Sequence, residues 1–310
     1  MLAGPCKPRV FNVRASYAEE ARAALEYFFS VKVPDATHLV SFDQNDSFGQ
    51  AGYDGLVAAY KDIRGSITPT PKDPTTPIAR FRYTRDDATS VPAQVEKTAT
   101  YLASLLAADT QNHAVGIFMT DTYGPAASYI TQLRQWQYAM DAEQTATNKA
   151  TRLQLYFVNV SFVGPNALAE RLKDAGSVMT PKGMTPYTDG VILSQVVPNY
   201  ESDQSDIVRD YQKAIETSGE MPSFTSLEGY IDARIFLAGL SAHQGQFTPE
   251  ALIETFETLP DLSLGLGAKA GFSPTDHDYS KSVWGTALDA GGGFQNRYYW
   301  AEGTPLQLFE

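Results

Sequence analysis

Apolar residues cluster in short unbroken runs along this chain, separated by polar or amphipathic stretches of helical length. The most pronounced run, Leu155 to Val163, is β-branched and aromatic. No charge interrupts the chain there from Leu153 on, which predicts a strand buried on both faces. The run breaks at Gly164-Pro165-Asn166, and Leu168 and Leu172 then share one face of a predicted helix. Strand, tight turn and helix make one βα step of an open parallel sheet, where ligands sit beyond the carboxyl ends of the strands. Gly164-Pro165-Asn166 reads equally as a ligand-facing loop or as a plain turn.

The same alternation continues in both directions. Val10 to Val13 predicts a short strand, Glu19 to Phe29 a helix with Ala21, Leu25 and Phe28 inward, and His38 to Phe42 a strand. A polar turn, Asp43 to Gly49, opens a helix that runs to Tyr60. Ser66 to Tyr83 carries Pro69, Pro71, Pro74 and Pro77 and predicts an edge strand with a surface loop. Val91 to Ala108 predicts a helix, Ala114 to Met119 a strand ended by Thr120 to Pro125, and Ala126 to Met140 a helix. Asp141 to Thr151 reads as a polar connector, and Gly190 to Val197 as a strand closed by Pro198. Strands alternating with helices of this length predict βαβ units with right-handed crossovers. The last third changes character. Ser205 to Ile215, Leu227 to Leu240 and a capped segment from Thr248-Pro249-Glu250 predict helices, and Val283 to Trp300 a hairpin turning at Gly291 to Gly293.

A chain of 310 residues exceeds what one compact core usually holds, so two lobes are expected. A net charge of -12 argues against nucleic acid or an anionic membrane surface as partner. The single cysteine, Cys6, allows no internal disulfide and no cysteine-rich metal site. No apolar run reaches membrane-spanning length, and Met1 to Pro5 reads as folded sequence rather than a signal peptide. The four histidines, His38, His113, His243 and His277, are scattered, and no nucleophile elbow or phosphate loop is present. Gly265 to Gly271 misses dinucleotide-loop spacing by one residue and reads as a turn, and Asp276-His277-Asp278 reads as a capped surface turn. No cofactor is implied, and nothing argues for catalysis. What remains is a row of strand ends bearing aromatic and small polar residues: Ser16-Tyr17, Ser47-Phe48, Thr122-Tyr123 and Asn166. A parallel sheet gathers such ends on one rim, where aromatic walls suit a small, partly apolar ligand.

Six segments now carry a resemblance: Phe11 to Tyr17, Asn45 to Gly49, Thr122 to Ala127, Val160 to Gly164, Ser194 to Pro198 and Ser226 to Arg234. In this order they resemble the substrate-binding proteins of branched-chain amino acid ABC transporters, with the type I periplasmic binding fold. The resemblance implies an α/β protein of two doubly wound parallel-sheet lobes, joined by crossover strands and closing on a ligand in the cleft. It implies a small polar metabolite (an amino acid or related compound) as ligand, an inner-membrane ABC permease as partner, a periplasmic location and no membrane insertion. The ligand-sensing domain of a receptor or regulator with the same fold is the alternative. Phe48 matches an aromatic that stacks on the ligand, and Tyr123 a second-lobe aromatic lining the cleft. Tyr17 falls at the first crossover, and Asn166 where leucine-binding relatives have a glutamate that pairs with the ligand's ammonium. A neutral amide there gives no ion pair, so a carboxylate or amide ligand fits as well as an α-amino acid.

The division implied is residues 17–197 with 286–310 as a second, ligand-binding lobe, and residues 1–16 with 198–285 as a first-lobe remnant. A βαβαβ run on the order of a hundred residues is expected ahead of Val10 in that family. Without it, the helices of the last third are expected to leave apolar faces uncovered.

Overall fold

In a computed structural model, which describes residues 7, 9–32, 38–65, 77–87, 89–108, 112–146, 153–180, 183–267 and 270–309, the apolar runs pair into one eight-stranded sheet. Its strands are β1 (Leu39–Gln44), β2 (Ile78–Tyr83), β3 (His113–Thr120), β4 (Leu153–Asn159), β7 (Ile192–Gln195), β8 (Ser282–Leu288), β9 (Phe294–Ala301) and β10 (Gln307–Leu308). The spatial order is β10-β9-β8-β7-β4-β3-β1-β2. The five strands from β2 to β7 are parallel, and β8, β9 and β10 add antiparallel. Two further strands, β5 (Ser177–Thr180) and β6 (Gly183–Pro186), form a separate antiparallel pair.

Every residue of β1 is buried, the apolar Leu39, Val40 and Phe42 as well as the polar Ser41, Asp43 and Gln44, because the strand is covered on both faces. On one face lie α1 (Tyr17–Tyr27) and α2 (Ser47–Arg64), whose Leu25 and Leu56, together with Phe28 in the π-helical turn after α1, pack with Leu39, Val158 and Ile192. On the other lie α3 (Ser90–Ala108), α4 (Tyr123–Ala146) and α5 (Pro165–Ala175), whose Leu102, Ile130 and Leu168 pack with Phe42, Ile117 and Phe157. A third apolar cluster gathers α6 (Asp206–Ser218) and α7 (Phe224–Ala242) around Tyr211, Leu227 and Ile231, with α8 (Pro249–Glu257) beside α7. α7 carries apolar residues on more than one side: Ile231 and Ile235 are buried while Phe236 and Leu237 are exposed.

At the β2 edge, Asp43 is fully buried and takes both arginines of the neighbouring strand, Arg80 at 2.7 Å and Arg82 at 3.1 Å. The Arg80 guanidinium also lies 3.9 Å from the centre of the Tyr53 ring.

Several segments differ from the sequence expectation. Val10 to Val13 is no strand; it makes one parallel bridge, Asn12 to Asp278, reinforced by Asn12 Nδ2 donating to Asp278 Oδ1 at 2.8 Å. β4 stops at Asn159, because Ser161–Val163 curls into a 3-10 turn. α4 runs on through Ala146, past the Met140 where a connector was expected. The proline-rich loop over 66–76, the connector over 147–151, Cys6 and residues 268–269 of the glycine-rich turn lie outside the described residues. β5 and β6 have no counterpart in the apolar pattern, since both are short and neither is fully buried.

Candidate functional site

The carboxyl ends of β1, β2 and β3 and the turn after β4 border one open cavity of about 1580 Å³. Three rings form its wall. Tyr17 and Phe48 lie edge to face at 5.2 Å, Phe48 and Phe162 at 5.0 Å, and Tyr17 and Phe162 at 6.5 Å. Such edge-to-face sets are a favoured aromatic arrangement and leave ring faces for a planar or apolar guest.

Each ring is set by a local device. Tyr17 opens α1 behind a capping box in which Glu19 N donates to Ser16 Oγ at 3.4 Å and Ser16 N donates to Glu19 Oε2 at 2.6 Å. Phe48 opens α2, where Asp46 Oδ1 accepts from Phe48 N at 3.0 Å and Gly49 N at 3.1 Å. Gly49 is pressed against the end of β1; a Cβ there would stand 2.0 Å from the Gln44 carbonyl oxygen. Phe162 sits in the 3-10 turn after β4 and is 55% exposed, so packing of its own ring cannot hold it in place.

Its neighbour Ser161 is the anchor. Glu20, fully buried on α1, accepts from Ser161 N at 2.7 Å, Ser161 Oγ at 3.1 Å, Ser194 Oγ at 2.6 Å and Arg14 Nη2 at 2.6 Å. Arg14 in turn reaches Glu228 on α7 at 3.3 Å, and its guanidinium lies 5.4 Å from the Tyr17 ring centre. Burial alone would lower the Arg14 guanidinium, but Glu20 and Glu228 raise it on balance. Burial also pushes the Tyr17 phenol up to about 12, so it keeps its proton. Behind the rim, burial drives the Asp121 carboxyl well above its usual range. Asn159 Nδ2, donating to Asp121 Oδ1 at 2.7 Å, opposes this, and nearby Asp43 adds to it.

The structure thus brings Tyr17, Ser47, Phe48 and Thr122 to one cavity, with Gln44, Arg85 and Ser128 as further polar lining. Tyr123 and Asn166 are not among the lining residues. Tyr123 is exposed, its ring 5.1 Å from the Arg171 guanidinium. Asn166 Nδ2 donates to Tyr200 Oη at 2.8 Å, while Asn166 Oδ1 is buried without a partner. Phe162 and the Arg14–Glu20 pair were not singled out from sequence. Phe162 was hidden inside an apolar run that looked like continuous strand. Glu20 carried a readable signal, a single acid among Ala21, Ala23, Ala24 and Leu25 on a buried helix face.

Among the described residues, no cluster of three or more histidine, cysteine or acidic side chains could hold a metal, and no helix is long and apolar enough to cross a membrane.

A family model described as periplasmic binding protein matches residues 3–293. No curated protein matches the chain significantly. Among solved structures, a possible leucine/isoleucine/valine-binding protein from Rhodopirellula baltica SH 1 is 27% identical with a TM-score of 0.67, over 93% of this chain and 66% of that one. An extracellular ligand-binding receptor from Verminephrobacter eiseniae is 15% identical with a TM-score of 0.65, over 93% of this chain and 68% of that one. A branched chain amino acid ABC transporter from Thermus thermophilus with bound valine is 12% identical with a TM-score of 0.60, over 94% and 67%. The chain therefore spans about two thirds of the length of the solved proteins it matches.

Proposed function

Because this chain belongs to the periplasmic binding protein family, with its type I fold, we propose that it captures a small, partly apolar metabolite at the Tyr17–Phe48–Phe162 wall for delivery to an ABC permease of the inner membrane. The reading rests on that aromatic wall, which stands where an open α/β sheet places its ligands. Tyr17, Ser47, Phe48 and Thr122 are its proposed contacts. The proposal includes a periplasmic location, binding without turnover, and a lobe of residues 17–197 and 286–310 working against residues 1–16 and 198–285. Hinge closure between the lobes would trap the ligand, and the Arg14–Glu20 pair at 2.6 Å joins the two units. Polar lining of both kinds, Arg85 and Ser128 beside Asp46 and Asp54, supports an amino acid or related compound.

A thermal-shift screen over aliphatic amino acids, small carboxylic acids and aromatic acids tests this, because a ligand bound by the native state alone raises the midpoint. The hit is expected to weaken by about 1.5–3 kcal/mol in Phe48→Ala, the value of one ring contact taken out of water. A hit indifferent to both Phe48→Ala and Phe162→Ala would place the ligand elsewhere and refute the wall as its site.

A further inference from the structure

A second cavity, of about 230 Å³, opens at the other end of the same sheet. It lies between the first residues of β4, Gly190 and Ile192 at the start of β7, Ala287 near the end of β8, and the flank of α4. Arg134 and Arg297 both line it, one on α4 and one on β9.

Arg134 is only 7% exposed. Its Nη1 donates to the Pro186 carbonyl at 3.2 Å and its Nη2 to the Asp189 carbonyl at 2.8 Å, and the guanidinium lies 5.3 Å from the centre of the Phe157 ring. These partners are dipoles and a π face. No carboxylate among the described residues forms an ion pair with it. A charge removed from water is costly unless an opposite charge meets it, and carbonyls orient a guanidinium without neutralising it. Burial accordingly lowers Arg134 from its ordinary value, against the raising influence of Tyr138, Asp189 and Tyr187.

Arg297 is placed by a backbone irregularity. The β8–β9 register slips between Gly285 and Thr286: Gly285 faces Tyr298, Thr286 faces Asn296, and Arg297 is the extra residue. A bulge of this kind re-aims the side chain it carries. Its guanidinium forms no ion pair among the described residues. Asp189 also lines the cavity, but on an exposed residue and without an ion pair to either arginine. Two cations without an ion pair among the described residues, lining one polar cavity, stand out in a chain of net charge -12.

We propose that this cavity binds a small oxyanion, of the phosphate or carboxylate class, between Arg134 and Arg297. A guanidinium matches both groups with paired parallel hydrogen bonds. The cavity far exceeds the ~30 Å³ share of a single water. The site is separate from the aromatic cleft and does not depend on it.

The test titrates the full chain with inorganic phosphate, and separately with succinate, at constant ionic strength held with sodium chloride. Thermal shift and calorimetry are the readouts. The expected result is a saturable rise in midpoint with at least one of the two anions, and which one responds identifies the source. Arg297→Gln should weaken that binding about tenfold or more, as loss of a charge-assisted bond implies. Its midpoint without anion should stay near that of the parent. Phe48→Ala should leave the anion titration unchanged, which separates this site from the cleft. Should Arg297→Gln not fold, Arg297→Lys, which keeps the charge but loses the fork, is read the same way. No saturable response to either anion, or equal binding by the Arg297 variant, overturns the proposal.

Discussion

Glu20 shows how much one side chain can organise. It is fully buried, and its two oxygens accept four hydrogen bonds that tie α1 to the turn after β4, to β7 and to Arg14. Glu20→Ala would leave Arg14 and Ser161 N without that acceptor, and is expected to cost about 3–5 kcal/mol in chemical denaturation. Asp121 is the opposite case, a buried acid with Oδ2 unpartnered. Its folded-state value is raised, so the stability it contributes is complete below the unfolded value near ~4 and is lost as pH rises toward the folded value. Asp121→Asn should therefore match the parent in acid and exceed its melting temperature at neutral and higher pH. A variant less stable than the parent at neutral pH, with the gap closing in acid, would show that the acid serves the fold in its charged form. Chain pattern alone foretold that Tyr17, Ser47, Phe48 and Thr122 stand at strand and helix ends, because turn chemistry is local. It could not foretell that Asn166 turns to Tyr200, since the two are brought together only by tertiary packing.

Between elements, the β1–α2 joint behind Phe48 is closely fitted. Gly49→Ala would drive a Cβ into the Gln44 carbonyl oxygen, 2.0 Å away, and the backbone must give. A loss of about 1–3 kcal/mol is expected, with weaker ligand binding because Phe48 moves with its helix. Denaturant midpoints and ligand titration of the same variant check both. The parallel strands and the helices between them were legible because apolar runs and helical spacing are strong, periodic signals. Val10 to Val13 and the end of β4 were not. The first finds one bridge at Asn12, and the second is bent away at Ser161 by Glu20, distant in sequence. Helix α7 carries apolar residues on both sides, Ile231 and Ile235 buried and Phe236 and Leu237 exposed, so its spacing marked a helix without marking a single buried face.

At the scale of the whole molecule, the excess of acids over bases gives a net charge of -12. Like charges on a folded surface repel, and salt screens them over about 10 Å at 0.1 M. The melting temperature should therefore rise as sodium chloride goes from about 10 mM to about 150 mM. A fall over that range would mean that specific ion pairs such as Arg22–Glu26, at 2.8 Å, outweigh the general repulsion. The general architecture was readable from the order of short motifs, each weak alone. The anion cavity was not, because Arg134, Gly190 and Arg297 lie on separate elements and meet only at the amino end of the sheet.

The pairing of Asp43 with Arg80 and Arg82 bears on self-association. Among the described residues β2 is the outermost strand at its end of the sheet, and an outermost strand's backbone edge can template a strand from another molecule. Two arginines on that strand reach inward to one buried carboxylate, and one of them also stacks on Tyr53. A chain docking along β2 would meet this charged flank, and flattening the strand to extend the ladder would pull both cations from Asp43. Arg80 and Arg82 thus set charge beside an edge strand, one of the ways sheets discourage edge-to-edge pairing, as well as fastening β2 to β1.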